Sequence, residues 1–277
     1  MFRKLLRRLI NIFSSLLFSR LDSKSLFSRG IANLLLHLFV PTYYKEEVHN
    51  YFSENLTFDH NALWSCPRSG SHWSRFIAEY LTGCPTSGCQ DNLSDVPICL
   101  NTFPSEEHPL SHVNPEAPFV LYKSHWTYNI TSRSAIVLII RDYHEVISRL
   151  ASVRQFVSMT FMYLDLIASY DCFSGNKMII YYEDLLTHSE REISRIKYFL
   201  NASDQRFKTF MDSHDYYAEL STQGKNRIWS GYRSAGDIKF YQKKLSKQNL
   251  LTRKNVFQIF LATKQYQCAK PYIARYE

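Results

Sequence analysis

The segment Cys66-Pro67-Arg68-Ser69-Gly70-Ser71-His72-Trp73 gathers the groups that hold an oxyanion. Gly70 lets a ligand approach the backbone closely, Ser69 and Ser71 supply hydroxyl donors, and Arg68 supplies a fixed charge with planar donors. Farther along, Lys123-Ser124-His125 sets a cation beside an imidazole. A neutral imidazole of ordinary pKa, about 6.5, takes a proton from an attacking hydroxyl near neutral pH. Arg141 adds another cation directly after an apolar run. The chemistry these types suit is transfer of a group from a phosphorylated nucleotide, with one set of residues holding the anion and another moving a proton.

Those residues need elements to place them. Ala62-Leu63-Trp64-Ser65 has the makeup of a short buried strand and residues 74–81 have helical spacing, so residues 66–73 form a strand-to-helix turn. Amides at the start of a helix are unpaired and carry partial positive charge, which makes such a turn an anion site. A nucleotide triphosphatase would write it GxxxxGK[ST]; the first Gly and the Lys-Ser/Thr pair are missing, which disfavours Mg-ATP. Strands are predicted at 62–65, 119–122, 135–140 and 178–182, with helices starting near Ser71, Tyr143, Gln155 and Ser189. This alternation is the pattern of an α/β fold with a parallel sheet and crossover helices. Open sheets of this kind bind ligands at the carboxyl ends of their strands. The 66–73 turn, the run 120–125 ending in Lys123 and His125, and Arg141 all fall at such ends. A fourth end, Ile179-Ile180-Tyr181-Tyr182-Glu183-Asp184-Leu185, leads toward the helix from Ser189 to Leu200. Residues 83–118 carry Pro85, Pro97, Pro104, Pro109, Pro115 and Pro118 without periodicity, and read either as part of an acceptor pocket or as an irregular surface excursion.

Composition bounds the alternatives. The 277 residues are 45% hydrophobic with 8 Gly and 9 Pro, enough for one large globular domain at 46–277 after an extension at 1–45. A net charge of +8 fits nucleic acid, an anionic membrane surface or a substrate with several phosphates. No basic stripe with interleaved aromatics and no zinc-finger spacing occurs, so nucleic acid is not expected. Cys66, Cys84, Cys89, Cys99, Cys172 and Cys268 form no CxxC pair, so no metal is expected and a reducing, cytoplasmic compartment is. Residues 1–20 combine Arg3, Lys4, Arg7, Arg8 and Arg20 with Leu5, Leu6, Leu9, Ile12, Phe13, Leu16 and Leu17 at helical spacing. This basic amphipathic helix is too short in its apolar run to span a membrane. It reads as a peripheral contact with an anionic membrane, a targeting peptide, or a helix packed on the domain beside the apolar run at 31–40.

Together these segments resemble the PAPS-dependent sulfotransferase family of the cytosolic type. Its phosphosulfate loop, similar to Pro-Lys-Ser-Gly-Thr-Thr-Trp, aligns with Pro67 to Trp73; Lys123-Ser124-His125 looks like its Lys-Thr-His. Ile139-Ile140-Arg141-Asp142 resembles its 3'-phosphate motif, Tyr181-Tyr182-Glu183-Asp184-Leu185 its Tyr-Glu-Asp-Leu, and Gly236-Asp237-Ile238-Lys239 its late Gly-Asp-Trp-Lys. The resemblance runs from about Asn61 to Ser246 and implies a P-loop-like three-layer domain. It implies that 3'-phosphoadenosine 5'-phosphosulfate (PAPS) gives its sulfuryl group to a hydroxyl or amine of a small molecule, leaving 3',5'-ADP. A glycan or lipid head group is the alternative acceptor; a P-loop kinase and a noncatalytic membrane-surface protein are more distant readings. The implied catalytic set is His125 as base with Lys123 and Arg68. The nucleotide set is Arg68, Ser69, Gly70, Ser71, His72, Trp73, Arg141, Ser148, Arg149, Tyr182 and Arg233. Departures are Arg68 for Lys, His72 for the second Thr, and a Ser, Ser148, one place earlier than the family's, whose position Arg149 holds. Either Ser148 or Arg149 then fills that role. Trp73 packs near adenine or in the core.

Overall fold

A computed structural model describes residues 59–88, 113–114, 116–125, 127, 131–148, 153–217 and 247–277. The amphipathic segment at 1–20, the run at 31–40, most of 83–118, Arg149, Arg233 and the 236–239 motif lie outside the described residues. Five strands form one all-parallel sheet: β1 (Ala62–Ser65), β2 (Thr86–Gly88), β3 (Leu121–Ser124), β4 (Ala135–Ile140) and β5 (Asn176–Tyr181), in the order β2-β3-β1-β4-β5. The helices are α1 (Ser71–Thr82), α2 (Tyr143–Ser148), α3 (Val153–Cys172), α4 (Tyr182–Thr187), α5 (Ser189–Phe199), α6 (Asp204–Asp212), α7 (Lys247–Leu261) and α8 (Lys270–Ile273). Short 3-10 turns, Lys264–Ala269 and Ala274–Tyr276, flank α8. The fold class is α/β, as expected. Among the described residues no helix is long and apolar enough to cross a membrane.

Both faces of the sheet are covered, which is why β4 reads Ala-Ile-Val-Leu-Ile-Ile without alternation. Ile136, Leu138 and Ile140 enter one core with Ala62, Trp64 and residues of α3 and α7. Val137 and Ile139 enter the other with Leu63, Met178, Ile180 and residues of α1, α5 and α6. Each such side chain is worth about 1.5–3 kcal/mol over exposure, so one polar replacement in β4 would offset a large share of a domain's net stability.

The order of the strands sets the site. From β1 the chain passes through α1 to the outer strand β2 and returns to β3 beside β1. It then crosses to β4 on the opposite flank of β1 and continues outward to β5. Connections therefore diverge at the carboxyl end of β1, the place where open parallel sheets leave a crevice.

Several boundaries differ from the sequence expectation. The strand foreseen at 119–122 is Leu121–Ser124, because pairing of Leu63 with Lys123 and Trp64 with Ser124 carries it into its polar end. The strand foreseen at 178–182 is Asn176–Tyr181, and Tyr182 starts a helix that the sequence did not mark. Residues 83–118 contain β2, whose Thr-Ser-Gly has no apolar signature. It is held by a buried polar group: Arg75 Nε donates to Thr86 Oγ1 at 2.7 Å and Glu79 accepts from the Thr86 amide at 3.0 Å. Helices α6 to α8 were also not foreseen.

Candidate anion-binding and proton-transfer site

After β1 the chain turns sharply. The Ser69 amide donates to Cys66 O at 3.1 Å, and Arg68 and Gly70 adopt positive φ, 72° and 93°. Positive φ at arginine is uncommon and stores strain, a state found most often at ligand sites. Gly70 is required twice over: by its φ, and because a Cβ there would lie 2.1 Å from Tyr182 Cδ2. It caps α1 in the left-handed conformation with no side-chain hydrogen bond to the first amides of the helix. The first amides of a helix have no partner within it and carry partial positive charge, which suits an oxyanion. The Ser69 hydroxyl and Arg141 Nε are buried without a hydrogen-bond partner among the described residues. Leaving such groups unanswered costs about 1–3 kcal/mol each, a cost that a bound oxyanion relieves. Cys66, in the same turn, is fully buried, which pushes its thiol far up, and its Sγ donates to Met159 O at 4.0 Å.

At the end of β3, Lys123 and His125 are both buried, at 7% exposure. His125 Nδ1 lies 2.6 Å from Ser65 O and Nε2 lies 2.8 Å from Lys123 Nζ. A carbonyl only accepts and an ammonium only donates, so Nδ1 carries the proton and Nε2 is the lone-pair nitrogen. Burial, with Lys123 next in importance, holds His125 well below its ordinary pKa. His72, on the first turn of α1, is pushed down to about 3 by burial and by Lys123, Arg75 and Arg68. Two neutral imidazoles thus stand in a field of three cations. Among the described residues no cluster of His, Cys, Asp and Glu is placed to hold a metal ion.

At the ends of β4 and β5 the site is braced. Arg141 Nη1 donates to Arg68 O at 3.2 Å, and its guanidinium lies 4.5 Å from the centroid of Tyr182. Tyr182 therefore sits against Gly70 and beneath Arg141, fixing turn and cation with one ring. The Asp142 amide donates to Glu183 Oε1 at 2.9 Å, and Tyr276 Oη donates to Glu183 Oε2 at 2.7 Å. Arg275 grips Asp184 with both arms, at 2.6 and 2.8 Å.

The structure thus brings Arg68, Ser69, Gly70, Arg141 and Tyr182 into contact around the turn, with Lys123, His125 and His72 on its β3 side. Ser71 is buried at the first turn of α1. Trp73 is stacked on Phe76 at 5.4 Å and lies beside Phe210 and His214. Ser148 closes α2; Arg149 and Arg233 lie outside the described residues. Sequence reasoning missed Ser65, which acts through its backbone carbonyl and so leaves no side-chain signal. It also missed Arg275 and Tyr276, which reach the site from the far end of the chain. The sequence matches no protein-family model and no curated protein.

Proposed function

We propose that the chain is a sulfotransferase that moves a sulfuryl group from 3'-phosphoadenosine 5'-phosphosulfate to a hydroxyl or amine of a small molecule. The observation that carries this reading is the tautomer of His125: an imidazole held by Ser65 O through Nδ1, with its basic Nε2 turned to the Lys123 ammonium. A site built only to hold a phosphate has no use for a buried, neutral, oriented base. The buried Ser69 hydroxyl and Arg141 Nε, at the turn before α1, fit an anionic ligand.

The donor, when bound, supplies the sulfuryl group and leaves as 3',5'-ADP. His125 Nε2 takes the acceptor's proton as the acceptor oxygen or nitrogen bonds to sulfur and the bond from sulfur to the 5'-phosphate oxygen breaks. Arg68, Lys123 and the α1 amides hold the electron pair that passes to that oxygen, so catalysis is positioning plus electrostatics. Arg141 would hold the 3'-phosphate, together with Ser148 or Arg149 and with Arg233.

The test is ligand preference followed by turnover. 3',5'-ADP should raise the melting temperature far more than Mg-ATP, and a metabolite extract with the donor should yield products heavier by one sulfuryl group. Preference for Mg-ATP would favour a kinase and overturn the reading.

A further inference from the structure

Ser65 O fixes the His125 tautomer, and a second hydrogen bond, from Lys123, blocks its use. The lone pair of Nε2 is the only one an acceptor's proton can reach, since Nδ1 is already protonated and held on Ser65 O at 2.6 Å. In the structure that lone pair is taken by Lys123 Nζ at 2.8 Å. Both side chains are buried, so the bond is formed in a low-dielectric setting, where its exchange for water is costly. A base in this state is oriented but masked.

Lys123 lies at the carboxyl edge of β3, paired with Leu63 of β1, and its charge acts on His72 of α1 as well as on His125. The ammonium is thus felt both by the base and by His72, next to the 66–70 turn. A phosphate oxygen on that turn is a stronger acceptor for an ammonium than a neutral imidazole is.

We propose that Lys123 is a latch on His125 that the nucleotide releases: an anionic group on the 66–70 turn draws Lys123 from Nε2, and only then can His125 accept a proton. The inference rests on the sulfotransferase reading of the site and adds an order to it. The nucleotide binds before the acceptor is activated, and a site without nucleotide cannot deprotonate a bound acceptor. The same movement delivers Lys123 to the oxygen on which charge builds, so one side chain both unmasks the base and stabilises the leaving group.

The experiment follows the His125 ring nitrogens of the uniformly 15N-labelled full chain by long-range proton–nitrogen correlation at pH 7.5, without ligand and with saturating 3',5'-ADP. A His125→Gln variant assigns the signals. In the free protein Nδ1 should give a protonated-type signal and Nε2 a lone-pair signal displaced upfield by the Lys123 bond. With 3',5'-ADP the Nε2 signal should move downfield while Nδ1 stays. Lys123→Met should show the downfield Nε2 signal without ligand and little further change on adding it. Binding of 3',5'-ADP, read from amide shifts in the same spectra, with an unmoved Nε2 in the wild-type chain overturns the latch and leaves the sulfotransferase reading standing. No binding of 3',5'-ADP overturns both. The wild-type comparison decides the matter even if Lys123→Met does not fold.

Discussion

The carboxyl edge of the sheet has two halves that treat charge differently. At the ends of β4 and β5 the acids are answered: Asp184 by both arms of Arg275, Glu183 by the Asp142 amide and the Tyr276 hydroxyl, Asp142 by the His144 amide at 2.8 Å. At the ends of β1 and β3 the groups pressing on His72 and His125 are Lys123, Arg68 and Arg75, and the Ser69 hydroxyl is buried with no partner among the described residues. Charge that is matched within the chain holds the chain together. Around His72 and His125 the charges that press are all of one sign, and charge of one sign raises the local concentration of the opposite sign. The Tyr182-Glu183-Asp184-Leu185 segment, the closest of all to the family's wording, accordingly belongs to the braced half: its ring supports Gly70 and Arg141, its acids hold the end of the chain, and Leu185 is core.

The sharpest way to break this contrast is His125→Ala. Transfer should fall by roughly 10²–10⁴-fold while 3',5'-ADP still raises the melting temperature as in the wild type; retained turnover would remove His125 from the base role. A pH series comes next. Both histidines are held below their unfolded value of about 6.5, so the unfolded chain binds more protons and the free protein loses stability as pH falls below that value. Each neutral histidine contributes about 1.4 kcal/mol per pH unit, for His72 down to a pH of about 3. Urea midpoints measured stepwise from pH 7.5 downward should show this slope, and His72→Gln should flatten it; an unchanged slope would place the titration elsewhere.

Smaller effects probe the braced half. Gly70→Ala combines a positive φ with contact on the Tyr182 ring, and should cost about 2 kcal/mol or more in urea unfolding. Replacing Tyr182 by Ala in the same chain should return part of that loss, as expected for residues in direct contact. Asp184→Asn is the mildest. The Arg275 side chain is 39% exposed, and such pairs contribute less than about 1 kcal/mol. Stability should drop by that little and 3',5'-ADP affinity should hold within about twofold; a large affinity loss would mean that the braced half reaches the ligand.

The sheet was legible where its residues are apolar in a short run, as in β1 and β4, and the strand-to-helix turn was legible because Gly70 and the change of period mark it locally. β2 was not, since Thr-Ser-Gly becomes a strand only through Arg75 and Glu79 on α1, side chains with which nothing in its own sequence pairs it. Tyr182 could be picked out as a site residue, but not what it does, because its partners Gly70 and Arg141 come from different strand ends. Trp73 shows the converse: a site residue by motif, it packs in the core beside Phe210 of α6 and His214 just beyond that helix.

What the sequence by itself determined is which groups stand at which strand ends, since periodicity and turn chemistry act over a few residues. What only the tertiary structure decided is how those ends face one another: Ser65 O fixing the tautomer of His125, Lys123 lying on its basic nitrogen, and Arg275 and Tyr276 closing on Glu183 and Asp184. Hydrogen bonds between residues 60 to 93 places apart depend on the order of the strands, and that order is set by the whole core rather than by any one segment.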